Sequence, residues 1–245
     1  MIKTFIFAKR NFKELSRDLL TLVFTLLLPV SIFLIMLFLT KQLDIPNTAF
    51  EIENFTPATI IFSFSFLTLF TAMLVSKDRS TAFLTRLLVS PLKASNYILG
   101  YMLPIIVISF VQNVILFAVA LMFGLSFSWN IFLVILATIP ISVIFASFGL
   151  ILGSVFNDKQ SSGVSSLLIQ VVAFTSGMWF DLKLVGGAFE IISYILPFAN
   201  SVDMLKYLLM GDYSQALLPF VIVLIYMFIF SLLAILLFKK VGTKK

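Results

Sequence analysis

Long apolar runs alternate with short charged breaks along the chain, and within each run the apolar character is continuous rather than alternating residue by residue. Six runs approach or exceed the roughly 20 residues needed to cross a hydrocarbon core about 30 Å thick: residues 19–39, 57–76, 97–123, 131–156, 162–179 and 216–238. Continuous apolar runs predict spanning helices rather than barrel strands, because a strand facing lipid on one side and a lumen on the other alternates. Ahead of the first run, residues 1–18 place Phe5, Ala8, Phe12 and Leu15, with Leu19 just beyond, at spacings of three and four. Lys9, Arg10, Lys13, Glu14 and Arg17 turn elsewhere. That pattern predicts an amphipathic helix lying in the membrane interface. A secretory signal fits less well, because the charged part is long and no small-residue cleavage pattern precedes Lys41.

Between the second and third runs, residues 77–93 read as a short amphipathic helix, with Phe83, Leu84, Leu87 and Leu88 on one side, Arg79 and Arg86 on another, and Pro91 as the stop. Between the fifth and sixth runs, residues 181–215 hold an apolar piece broken by Gly186, Gly187, Glu190 and Pro197. It is too short to cross comfortably and predicts a re-entrant or interfacial helical pair on the outer side. Pro29 predicts a bend in the first span. In the fourth, Gly149 and Gly153 have the small-xxx-small spacing that lets another helix approach closely. The expected fold is therefore all-α, a single transmembrane domain over residues 1–245.

Composition sharpens this picture. Of 245 residues, 61% are hydrophobic and 11% charged, against about 25% charged in a soluble domain. The formal charge of +6 comes from Lys and Arg at helix ends and termini, which reads as membrane topology rather than a nucleic-acid surface. With six spans and both termini cytoplasmic, only Lys41, Lys183 and Lys206 of the 17 basic residues fall on the outer side. The sequence has no Cys and no His, so thiolate nucleophiles, imidazole bases, disulfides and most transition-metal sites are excluded from it. No Asp, Glu, Lys, Arg or His lies within the six spans as drawn, which argues against an internal proton-coupling site. Nor is there a G-x-x-x-x-G-K-[ST] phosphate loop, so the chain is not expected to hydrolyse ATP itself. Energy for uphill transport would have to enter through a charged cytoplasmic surface. The largest candidate is the 77–93 helix, and the second is the turn at Asp158, Lys159 and Gln160.

Several pieces, in order, carry a family resemblance: Ala8-Lys9-Arg10-Asn11-Phe12-Lys13-Glu14, then Lys77-Asp78-Arg79 followed by Arg86-Leu87-Leu88-Val89-Ser90-Pro91-Leu92, then Ile98-Leu99-Gly100-Tyr101. Later come Asn157-Asp158-Lys159-Gln160, Ser176-Gly177-Met178-Trp179-Phe180 and Leu196-Pro197-Phe198, with Asp203 and Gly211 before the last span. Over nearly its whole length the chain resembles the permease subunits of type-2 ATP-binding-cassette exporters, especially the bacterial multidrug-type branch. The pattern departs at Ser80-Thr81-Ala82, where many members carry an acidic residue and a glycine.

The resemblance implies no cofactor in this chain, with ATP and Mg on a separate ATPase subunit present in two copies. It also implies a second permease, the same or a sister chain, and residence in the bacterial cell membrane. It makes 77–93 a coupling helix, with Asp78, Arg79, Phe83, Leu84, Arg86, Leu87, Leu88 and Pro91, together with Asp158, Lys159 and Gln160, as the residues meeting the ATPase.

The polar residues of the spans, Ser63, Ser65, Thr68, Gln112, Asn113, Gln170, Thr175 and Ser176, have two readings. They form interhelical hydrogen bonds, or they line a weakly polar path for an amphiphile such as a drug, an antimicrobial peptide or a lipid-like molecule. Two rival classes stay open on the sequence alone, a passive channel or scaffold and a membrane-embedded lipid-modifying enzyme.

Overall fold

The computed structural model of the chain describes residues 2–43, 48–81 and 94–243, and these are helical almost throughout. The helices in order are α1 (Ile2–Arg17), α2 (Leu19–Leu22), α3 (Leu28–Leu43), α4 (Ile52–Ser80), α5 (Ala94–Met122), α6 (Asn130–Val155), α7 (Asp158–Thr175), α8 (Leu182–Val185), α9 (Gly187–Ile195), α10 (Pro197–Met210) and α11 (Tyr213–Thr243). A π-helical turn, Val23–Leu27, joins α2 to α3.

Helix α4 is the hub, packed against α5, α6, α7 and α10. In its most apolar window 89% of residues are buried, compared with 11% for α11 and 22% for the α2–α3 span, so α4 forms the core and the other two form the rim. Its Phe55, Ile60, Ile61 and Phe64 are wholly buried. The glycine pair is what brings α6 so close. A Cβ on Gly149 would stand 2.4 Å from Thr71 Cβ, and one on Gly153 would stand 2.6 Å from the Ala72 carbonyl oxygen. The two glycines therefore serve packing within the chain.

Among the described residues, five helices are long and apolar enough to cross a membrane: Leu19–Thr40, Ile52–Ser80, Asn96–Met122, Asn130–Val155 and Tyr213–Phe238. The expected span 162–179 corresponds to α7, which starts earlier at Asp158 and ends at Thr175. At 18 residues it is about 27 Å long, and its serines and Gln170 keep it below the apolarity of the other five. The second expected span, 57–76, is longer than the sequence suggested. With no Pro or Gly between Leu67 and Thr81 to stop it, α4 continues for 29 residues, about 43 Å, and its last turn overshoots a 30 Å hydrocarbon core. Lys77, Asp78, Arg79 and Ser80 are thus the end of α4 and not the start of a separate helix. Thr81 is extended and closes it. Residues 82–93 of the expected coupling helix, including Phe83, Leu84, Arg86, Leu87, Leu88 and Pro91, lie outside the described residues.

Two other expectations change. The predicted apolar face of α1 is only in part its buried one: Ala8 and Leu15 are buried together with Thr4, Phe7 and Asn11, while Phe5, Phe12 and Leu19 are exposed and Phe5 and Ile6 are about two-thirds so. The buried face packs on α5, where Phe7 meets the edges of Tyr97 and Tyr101. Exposed Phe5, Ile6 and Phe12 form a second apolar strip. Residues 181–215 form three helices rather than a pair. Gly186 and Gly187, at φ 63° and 61°, break α8 from α9, and Pro197 starts α10. Helix α10 is an inserted element, burying Phe198, Val202, Leu205 and Leu209 against α4, α6 and α11.

Candidate functional site

The overshooting end of α4 carries three charges in a row, and each finds a different partner. Both oxygens of Asp78 are held by the Arg10 guanidinium, at 2.6 and 2.8 Å, and Tyr101 donates its hydroxyl to the same carboxylate at 2.8 Å. This forked geometry suits a planar guanidinium on a carboxylate. Arg10 also reaches Glu14 at 2.6 Å, one turn along α1, and Lys77 pairs with Glu14 at 3.0 Å. Burial works against the Arg10 charge, but its bond to Asp78 and the nearby carboxylates more than compensate, and the group titrates above its ordinary value. Asn11 donates to the Gly100 carbonyl at 3.0 Å. Gly100 lies four residues before Pro104, which has no N–H to give that oxygen, so the proline frees an acceptor and Asn11 takes it. A Cβ at Gly100 would fall 2.2 Å from the Phe7 ring, which explains the glycine there.

Arg79 turns the other way. It donates to the Gly153 and Phe156 carbonyls at 2.7 and 3.2 Å, occupying the negative end of α6. Ser76 donates to Asp158 at 3.1 Å, and Asn157 and Gln160 form a reciprocal capping box that opens α7. Four long helices, α1, α4, α5 and α6, plus the start of α7, are therefore tied together at one end.

Of the residues expected to meet an ATPase, Asp78 is 2% exposed and turned inwards, and Arg79 is committed to α6. Sequence reasoning read both as surface contacts because their partners are distant in the chain. Asp158, Lys159 and Gln160 are exposed, as a contact surface requires. Arg10, Glu14 and Tyr101 were missed as site residues. A lone carboxylate among cations at a helix end, with Arg10 and Glu14 spaced i,i+4, was the available signal.

The polar residues expected to line a path are mostly internal. Ser63 and Ser65 bond back to Ile60 and Phe62 of their own helix, and Thr68 donates across to Phe145 at 2.9 Å. Gln112 Nε2 donates to the Thr25 carbonyl at 2.5 Å, the oxygen four residues before Pro29, so the first-span proline is used as Pro104 is. The π turn at Val23–Leu27 accommodates it. Asn113 donates to Thr138 at 2.7 Å. Thr175 bonds back to Val171, while Ser176 is buried with its hydroxyl unpartnered. Only Gln170 is exposed; α4, which carries the first three, is the most buried of the long helices.

At the far end of the bundle, Tyr194 on α9 donates to Asp203 on α10 at 2.9 Å, and Asn200 donates to the Tyr194 and Leu196 carbonyls. Burial pushes the Asp203 carboxyl above its ordinary range, with Tyr194, Lys206 and Lys183 pulling the other way. Burial and the Asp203 charge together raise the Tyr194 phenol.

A family model described as ABC-2 family transporter protein matches residues 40–238. No curated protein matches the chain.

Proposed function

The chain belongs to the ABC-2 family of transporter proteins, and on that premise we propose that it is the permease subunit of an ATP-driven exporter powered by a separate ATPase. The observation that carries this reading is the lock at the end of α4. Arg10, Asp78 and Tyr101 fix α1, the overshooting turn of α4 and α5 to one another, so a push delivered there moves the core helix rather than bending its tip. Residues 82–93 follow that turn directly, and we assign Phe83, Leu84, Arg86, Leu87, Leu88 and Pro91 to contact with the ATPase. The exposed Asp158, Lys159 and Gln160, tied back to α4 through Ser76, form the second contact.

In this reading α7 is a sixth span, α1 lies in the inner membrane interface, and both termini are cytoplasmic, as the distribution of Lys and Arg favours. The complex contains two ATPase copies, which hold ATP and Mg, and a second permease, within a bacterial cell membrane. The exposed face of α7 supports an amphiphilic substrate. It sets Gly163, Ser166 and Gln170 beside Leu167, Val171 and Phe174, weakly polar and without charge.

Purification of the tagged chain from its membranes in mild detergent tests the proposal. An ABC ATPase is expected to co-purify, and hydrolysis of ATP by the complex is expected to rise with added amphiphile. A chain that purifies without an ATPase and conducts ions without ATP would contradict it.

A further inference from the structure

A cleft of about 830 Å³ opens between α1, the start of the first span and the charged end of α4. Its volume is within the ~300–1,000 Å³ typical of small-molecule sites. The two walls differ in kind. Five basic side chains line it against three carboxylates, and every carboxylate is already engaged. Glu14 holds Arg10 and Lys77, Asp18 caps α2 through Leu20 N and the Thr21 hydroxyl, and Asp158 accepts from Ser76. Lys9, Lys13 and Arg17 are exposed and make no ion pair among the described residues. They recur every four residues along α1, so they point from one side of the helix. The other wall is hydrocarbon, with Phe70, Met73 and Leu74 of α4 running away from the charged end.

We infer that this cleft binds an anionic phospholipid from the leaflet along which α1 lies, with its phosphate among Lys9, Lys13 and Arg17 and its acyl chains over Phe70, Met73 and Leu74. Three points favour a lipid over a soluble anion or a protein. The cations stand where the apolar span begins, at headgroup depth. The hydrocarbon wall continues from them toward the interior of the bilayer. The adjacent face of α1 exposes Phe5 and Ile6, so the approach is itself apolar. Basic side chains near a membrane surface each favour anionic lipid by a factor of about five, and a site with chains as well as a headgroup adds the apolar contact.

The test uses the purified chain without ATP, so its outcome is separate from that of the transport proposal. Met73→Trp in a Trp129→Phe, Trp179→Phe background reports lipid in the cleft when dibrominated phosphatidylglycerol or dibrominated phosphatidylcholine is added in mixed micelles. Brominated phosphatidylglycerol is expected to quench at an effective concentration lower by up to about a hundredfold at low salt, an advantage that shrinks as salt is raised. Lys9→Gln, Lys13→Gln and Arg17→Gln each lower it about fivefold and together remove it. Lys183→Gln and Lys206→Gln, at the other end of the bundle, together leave it in place.

Native mass spectrometry of the unsubstituted chain gives an independent readout, with phosphatidylglycerol retained after delipidation and phosphatidylcholine lost. Equal quenching by the two lipids, or a preference that survives the triple change on α1, would overturn the inference. So would the absence of quenching by either, which means that the cleft is filled by protein. Displacement of phosphatidylglycerol by inorganic phosphate alone would assign the site to a free anion instead.

Discussion

At the α1 end of the bundle, Asp78 is gripped by Arg10, 68 positions away in the chain, and by Tyr101, 23 positions away. At the other end Asp203 takes its hydrogen bond from Tyr194, nine positions away. Asp78 is buried and Asp203 half-buried; the first joins three long helices and the second joins two short neighbours. The short neighbours are bounded by glycines with φ of 63°, 61° and 80° at Gly186, Gly187 and Gly211, conformations that glycine adopts without strain. The contrast teaches where stiffness is placed. The charged end ties helices distant in sequence into one block, while α8 and α9 are held by short-range contacts and α10 is packed into the core against α4, α6 and α11. In the proposed reading, the block at the charged end is the point of energy input.

Breaking the rigid end is expected to have the largest effect. Arg10→Ala strands the buried Asp78 carboxylate, and removing one partner of such a pair costs roughly 3 kcal/mol, or about 6–12 °C in melting temperature for a chain of this size. Because Arg10 keeps about a third of its side chain exposed, the lower end of the usual range applies. The double change Arg10→Ala, Asp78→Ala should cost less than the sum of the single changes. Additive costs would mean that the two residues act separately.

Gly149→Ala comes next. The added methyl must displace Thr71 or move α6 off α4, at about 1–3 kcal/mol. Gly163→Ala on α7, where no atom stands within 4 Å of an added Cβ, should cost nothing measurable. Equal melting temperatures for the two variants would remove α4–α6 contact from the account of the core.

The smallest effect belongs to the end that holds Asp203 and depends on pH. The folded-state pKa of Asp203 lies above the ordinary aspartate value of about 3.9. On acidification the folded protein therefore takes up this proton before the unfolded chain does. Its contribution to stability is fully present below that ordinary value and is lost as pH rises through the raised one. Asp203→Asn should flatten this part of the melting-temperature profile while leaving the Arg10 and Asp78 effects intact. An unchanged profile would show that Asp203 is not the group responsible.

Much of the fold was legible in the sequence. The five long apolar helices follow from run length, and the Gly149 and Gly153 spacing announced a close approach. Even α10 was readable as a helix, since Phe198, Val202, Leu205 and Leu209 fall at helical spacing. Its insertion into the bundle was not, because spacing names a buried face and not the partner that buries it. The same limit explains Asp78. A carboxylate flanked by Lys77 and Arg79 looks solvated until Arg10 and Tyr101 are brought to it by the tertiary fold. The expected span at α7 was marginal for another reason: its serines and Gln170 lower its apolarity, and only packing on α4 shows how they are placed. Prolines were informative in a way that bends do not capture, since Pro29 and Pro104 each free a carbonyl to which a side-chain amide from another helix then donates.

Substrate-dependent ATP hydrolysis and export, measured together in liposomes holding the permease with its ATPase, test the central claim most directly. Asp78→Asn keeps the shape of the side chain and its place against Tyr101 but removes the charge that Arg10 grips. The account predicts that the variant complex still assembles and hydrolyses ATP, while export per ATP falls tenfold or more, a loss corresponding to about 1.4 kcal/mol of coupling. Export per ATP equal to that of the unsubstituted complex, in a variant shown to have lost the Arg10 pairing, would contradict it.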